Sequence, residues 1–250
     1  MAKTIEGKCH ICGSVGPLSF EHVPPRAAFN DHGVLEAKIE SLIGKAFTAD
    51  TLTEKAVNNQ RGAGKHTLCV SCNNNTGSWF AAAYVAFAKQ AMPAAHTNSN
   101  DVRRVRGYSI QPLNVLKQIL TMFCSACGPN FAEKHPALVR YLLNPESREY
   151  PNTRFRIGAA LFDVAHSTAA RQSGISGRMN SESGKNETFS EISYPPFNFV
   201  LSLTGDFPDS RLVDITWMNE FSHRERSYVF LPLLALSVNT YLPAVYSGKK

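Results

Sequence analysis

The sequence predicts an α+β chain, and three observations carry that prediction. Two Cys-x-x-Cys pairs, Cys9 with Cys12 and Cys69 with Cys72, bracket the first part of the chain. Apolar residues then recur at helical spacing between Trp79 and Leu143. From about Arg154 the period changes to two, the alternation of half-buried strands. The layout that follows is a zinc-stabilised module at residues 1–92 and a second domain at residues 93–250, helical to about residue 145 and β-rich beyond it.

Element by element, the chain opens on a cysteine knuckle followed by a short strand, Leu18 to Val23, which Pro24-Pro25 ends because proline cannot donate to a ladder. Residues 26–67 read as an insertion, with a weakly helical stretch at Val34 to Ile43 and a polar, glycine-containing loop at Asn58 to Lys65. After Cys72, Asn75 or Thr76 can cap a helix that runs from Trp79 to Met92 and stops at Pro93; its apolar residues lie almost all round, so it should be buried. Residues 94–111 read as a polar linker. Pro112 opens a second helix that Gly128-Pro129 closes, and Pro136 to Leu143 forms a third. Strands are expected at Phe155 to Phe162, through Phe197, Phe199, Leu201 and Leu203, at Arg211 to Trp217 and at Tyr228 to Leu236, with a Gly/Ser-rich loop at Arg171 to Asn186.

Composition narrows the class. With 43% hydrophobic and 18% charged residues the chain has a globular, not a disordered, make-up. No apolar run reaches a membrane span, and Ile5 to Cys12 is not the core of a signal peptide. The expected compartment is the cytoplasm, where thiols stay reduced and paired Cys-x-x-Cys spacing reads as metal ligation. The net charge is +6, from 26 basic and 20 acidic residues. Residues 81–150 hold 8 Lys/Arg against 4 Asp/Glu, so the middle of the chain carries most of the surplus, which suits a polyanionic partner.

The four thiolates of Cys9, Cys12, Cys69 and Cys72 satisfy a tetrahedral Zn²⁺ with no open position, which makes that site structural. Any chemistry must come from groups the knuckles hold, chiefly Glu21-His22 and Asn73. His22 beside an acid reads either as a surface pair or, between two knuckles and ahead of Pro-Pro, as a general base. Glu21 and His22 are neighbours on a strand, so a twist or bulge is needed to bring both to one ion. Asn73 reads equally as a ligand or as a turn or helix cap. Cys124 and Cys127 form a third Cys-x-x-Cys at the end of an apolar helix and read as core thiols. Arg103, Arg104 and Arg106 read as a phosphate-binding strip or as a solvated linker.

An acid–His pair between two Cys-x-x-Cys knuckles, with an Asn directly after the last Cys, resembles the zinc-knuckle branch of the HNH endonucleases. The resemblance covers roughly residues 9–90. It implies a zinc-stabilised ββα-metal module that hydrolyses nucleic-acid phosphodiester bonds, DNA above all, with a catalytic Mg²⁺ or Mn²⁺. In this resemblance His22 matches the general base, Glu21 the acidic metal ligand (usually Asp in the family) and Asn73 the final metal ligand. The chain departs from the pattern where the middle Asn is expected: that position is Gly64, with Asn58, Asn59 or His66 as substitutes. His66 and His32 are the alternative bases. A non-catalytic zinc-knuckle module that binds nucleic acid or protein is the competing reading. By analogy of layout the nuclease unit would be the effector of a bacterial defence or mobile-element system, its C-terminal portion meeting a protein partner or a second copy.

Overall fold

The computed structural model describes residues 4–36, 56–96, 105–164, 170–179 and 184–236. In chain order the strands are β1 (Glu6–Lys8), β2 (Val15–His22), β3 (Val34–Glu36), β4 (Val57–Asn59), β5 (Gly64–Cys69) and β6 (Arg106–Ile110). They continue with β7 (Arg156–Phe162), β8 (Arg171–Gln172), β9 (Ser176–Met179), β10 (Asn186–Tyr194), β11 (Phe197–Ser202), β12 (Val213–Asp214), β13 (Ser227–Leu231) and β14 (Ala235–Leu236). The helices are α1 (Val70–Thr76), α2 (Ala82–Ala95), α3 (Pro112–Cys127), α4 (Pro129–Lys134) and α5 (Pro136–Leu143). The mixed helix-and-sheet class is the one expected.

A small antiparallel sheet in the order β1-β2-β5 carries the N-terminal site, and α1 leaves directly from the end of β5. A larger sheet in the order β12-β7-β11-β10-β8, with β9 on β10 and β14 on β7, forms the C-terminal half. Every residue of β11 is buried, so its alternating apolar residues face cover on both sides, as befits a strand lying between β7 and β10. Helix α3 sits between the two sheets. Fourteen of its sixteen residues are buried, among them the polar Asn114, Lys117, Gln118, Thr121 and Ser125. Lys117 is tolerated there because its ammonium donates to the carbonyls of Tyr141, Asn144 and Pro145 and lies over the Tyr141 ring. One hydrophobic core runs from Cys9 to Leu233, so residues on either side of position 92 share it.

Several local expectations are corrected. The helix after Cys72 begins earlier, at Val70, and its cap is Cys69, whose sulfur accepts from the Cys72 amide; Thr76 is interior and donates back to the Cys72 carbonyl. It passes through a π-helical stretch, Gly77–Ala81, and runs on past Pro93 to Ala95. Proline there meets only the last turn, where few amides are lost. Arg106 lies on β6, which pairs with β13, where a linker was expected; Arg103 and Arg104 lie outside the described residues. Val34–Glu36 is a strand paired with β4, while the rest of the helix expected to Ile43 lies outside the described residues. The loop expected at Asn58 to Lys65 shrinks to a turn between β4 and β5. In the expected loop at Arg171 to Asn186, β8 and β9 add to β10. The strand at Arg211 to Trp217 reduces to Val213–Asp214 before a 3₁₀ turn, and Tyr228 to Leu236 is split around Pro232.

Candidate active site

The knuckles close as their spacing demands. In the first, the Gly13 amide reaches the Cys9 carbonyl at 3.0 Å and the Cys9 amide reaches the Ser14 carbonyl at 2.8 Å. Gly13 takes φ +75°, a conformation that favours glycine. The second knuckle spans the β5–α1 junction, so the helix cap and the metal turn are the same residues. The ligand atoms of Cys9, Cys12, Cys69 and Cys72 all lie within 4.8 Å of one another. Zn–S bonds of about 2.3 Å place tetrahedral sulfurs about 3.8 Å apart, and Cys12 and Cys69 sulfurs are 3.8 Å apart. Without a cation the thiols compete for protons. The hydrogen bond from Cys72 holds Cys9 well below the ordinary thiol range, and that same bond, then burial, pushes Cys72 far above it. A dication resolves this by letting all the thiols ionise. The four cysteines can therefore hold a metal ion such as zinc. The third pair stands apart from it: Cys124 is fully buried in the core and Cys127 half-buried.

Glu21 lies on β2 opposite Lys65, and His22 opposite Gly64. The only irregularity in this ladder falls between Ser19 and Phe20, ahead of the pair. The twist or bulge expected to bring Glu21 and His22 together thus falls two residues earlier, and the two side chains leave opposite faces of regular strand. Glu21 is 7% exposed. Among the described residues no hydrogen bond or cation reaches its carboxylate, and desolvation alone pushes its pKa up to about 8.

His22 is half-buried, and its Nε2 lies 2.9 Å from the Arg61 carbonyl. A carbonyl only accepts, so Nε2 carries the proton and Nδ1 is the basic nitrogen. Burial, ahead of the charges of Arg26 and Arg61, moves the imidazole below its usual pKa, while the Arg61 carbonyl opposes that shift. The ring stands edge-on to Phe20, centroids 4.9 Å apart, and His66 meets the same Phe20 ring at 5.3 Å. His32 is exposed, with its Nδ1 3.8 Å from Asp31.

Asn73 is not a cap. From the first turns of α1 its Nδ2 donates to Ser19 Oγ at 3.0 Å and to the Phe20 carbonyl at 3.2 Å, and Ser19 Oγ donates in turn to the Leu68 carbonyl. This locks the helix to both strands within one residue of Glu21. The amide oxygen of Asn73 accepts no hydrogen bond among the described residues.

Gly64 holds the expected place of the middle Asn for a steric reason: a Cβ there would stand 2.2 Å from the Glu21 carbonyl oxygen. The loop-shaping work falls to two other asparagines. Asn59 Oδ1 accepts from the Arg61 amide at 3.1 Å, which shapes the turn that offers the Arg61 carbonyl to His22. Asn30, fully buried, donates from Nδ2 to the Pro24 and Ala63 carbonyls and accepts at Oδ1 from the Ala63 amide and the Tyr194 hydroxyl. Gly62, at φ +92°, passes so close that a Cβ would meet the Asn30 carbonyl oxygen at 2.4 Å. Sequence reading misses Asn30, because nothing near it signals a partner 33 residues away; Gly62 was the available clue to a tight approach.

The chain matches no protein-family model, no curated protein and no solved structure among those compared. No helix among the described residues is long and apolar enough to cross a membrane.

Proposed function

We propose that this chain is a zinc-stabilised, metal-dependent endonuclease of the HNH type that hydrolyses DNA phosphodiester bonds. The observation that carries the reading is Glu21: a buried carboxyl group with no hydrogen-bond or charge partner among the described residues, one residue before His22 and one residue past the carbonyl that anchors Asn73. A carboxylate so placed is costly until a proton or a cation neutralises it, and burial already pushes the Glu21 pKa up to about 8. Glu21 and the Asn73 amide oxygen are hard oxygen donors of the kind Mg²⁺ and Mn²⁺ take. An ion held by them would supply neutralisation of the charge that grows on the phosphate and leaving oxygens.

The rest falls to the chain. His22 Nδ1 takes a proton from water, whose oxygen bonds to phosphorus as the P–O3′ bond breaks; the leaving O3′ takes a proton from solvent water and His22 returns its own to solvent, which gives a 5′-phosphate and a 3′-hydroxyl. The Arg61 carbonyl fixes the tautomer that makes Nδ1 the base, and Phe20 fixes the ring plane. Zinc at the four cysteines anchors the strand and helix that carry these groups.

A second reading, a zinc module that binds nucleic acid without cutting it, is favoured by the regular ladder that turns Glu21 and His22 to opposite faces. Plasmid nicking separates the two. The nuclease reading predicts cleavage that requires Mg²⁺ or Mn²⁺ and is lost in His22→Ala. Binding without cleavage in either ion, by zinc-loaded protein, supports the module.

A further inference from the structure

Two arginine side chains flank His22 and have no task in the chemistry just described. The Asn30 amide closes a turn onto the Arg26 carbonyl at 3.1 Å, just after β2. The Asn30 side chain clamps Ala63, two residues beyond Arg61. One buried amide therefore joins the two segments that carry Arg26 and Arg61. The Arg61 guanidinium lies 5.7 Å from the centre of the Phe20 ring, the ring that meets His22 edge-on. Both arginines are exposed, and among the described residues neither is ion-paired. The charges of both are felt at His22. Asp31 lies beside His32, 3.8 Å from its Nδ1, and the Glu21 side chain leaves the opposite face of β2. The outer face of β2 is thus a cationic surface around an imidazole, with no carboxylate paired to either arginine among the described residues.

We propose that Arg26 and Arg61 form, with His22, an anion subsite that receives a phosphodiester of the nucleic-acid backbone and sets it beside the His22 imidazole. The inference rests on the nuclease reading for its substrate but not for its test. Guanidinium groups suit this role because their planar forks match phosphate oxygens two at a time. Arg61 would serve twice: its carbonyl orients the base, and its side chain takes the phosphate. Arg61→Ala keeps the carbonyl and removes only the second role.

The test is binding of a short labelled single-stranded DNA to zinc-loaded protein in buffer free of Mg²⁺ and Mn²⁺, across a salt series. Arg26→Ala and Arg61→Ala should each reduce the slope of log affinity against log salt by roughly 0.7, the counterion release of one single-strand phosphate contact. Arg61→Lys should retain the slope and lose part of the affinity. Zinc content and melting temperature should not change in any of them. In Mg²⁺, the loss of cleavage in Arg61→Ala should fall on KM more than on kcat. A double variant, Arg26→Ala with Arg61→Ala, that binds with parental affinity and slope would overturn the subsite. Arginine-dependent binding by a protein that never cuts would support the subsite and remove the nuclease reading. Cleavage with an unchanged KM in the double variant would do the reverse.

Discussion

The two candidate metal sites of this small N-terminal sheet are built on opposite plans. The cysteine site draws its ligands in two pairs, each pair within one turn, and all four sulfurs already converge within 4.8 Å. Backbone amides at Cys9, Gly13 and Cys72 hold that geometry. The site around Glu21 draws on three separate segments: Glu21 and His22 from β2, Asn73 from α1, and the Arg61 carbonyl from the turn before β5. Its carboxylate is buried before anything neutralises it. A local, self-sufficient ligand set makes a fold depend on its metal. A set assembled by tertiary structure, with one group left uncompensated, is organised for something that arrives later.

That contrast breaks most sharply at the cysteines. Cys69→Ser should leave the chain unfolded or insoluble, because losing a structural zinc removes on the order of 10 kcal/mol of folding free energy. Chelation should do the same, whereas Cys124→Ala should fold and keep its zinc; circular dichroism with elemental analysis checks all three. A folded, zinc-free chain would erase the distinction between the sites. Next in size is His22→Ala, which should slow Mg²⁺-dependent nicking by about 10²–10⁴-fold with zinc stoichiometry and melting temperature unchanged. Added Mn²⁺ should not restore it, since the base and not the ion is missing.

Smaller effects sharpen the comparison. Asn30→Ala should destabilise the protein by about 2–4 kcal/mol, since it leaves the amide of Ala63 and the carbonyl of Pro24 without partners, while the Ala63 carbonyl keeps only the Val23 amide. It should lower the nicking rate while zinc stays bound, because the turn that offers the Arg61 carbonyl loosens and the knuckles do not. Denaturant unfolding, alongside the rate, measures both. Arg106→Ala should change least, weakening DNA binding by less than about 1 kcal/mol with a slightly shallower salt dependence, read by titration at two ionic strengths.

The parts of this molecule legible in its sequence are those whose cause is local. Cysteine spacing announces the four-sulfur cluster, and Pro112 and Gly128 mark the ends of α3 to within a residue. The β-rich half declares itself through alternation at Phe197–Ser202, although burial on both faces of β11 depends on neighbours the strand does not encode. What stayed hidden was set at a distance. Arg106 looks like linker until Leu231 pairs with it. Cys69 looks only like a ligand until the helix starts on it. Gly64 looks like a missing Asn until the Glu21 carbonyl is seen in the space its side chain would need. Of the site, Glu21, His22 and Asn73 are readable as candidates. The asparagines that hold the loop, and the opposed faces of Glu21 and His22, required the strand register.

If the buried Glu21 carboxyl group is kept for a divalent ion, Mn²⁺ titration of the zinc-loaded protein should separate wild type from Glu21→Gln. In the folded, ion-free chain the Glu21 pKa is pushed up to about 8, against about 4.3 in an unfolded one. The neutral acid therefore supports the fold fully below about pH 4.3, and that support drains away as pH rises to about 8. Glu21→Gln, neutral at every pH, should gain stability over wild type across this window, by a few kcal/mol at most, and the gain should level off above about pH 8. Mn²⁺ should cancel it by raising the melting temperature of wild type alone, with one Mn²⁺ bound per wild-type chain beyond the zinc and none in Glu21→Gln. Equal Mn²⁺ binding by the two proteins, or no binding by wild type, would contradict the account.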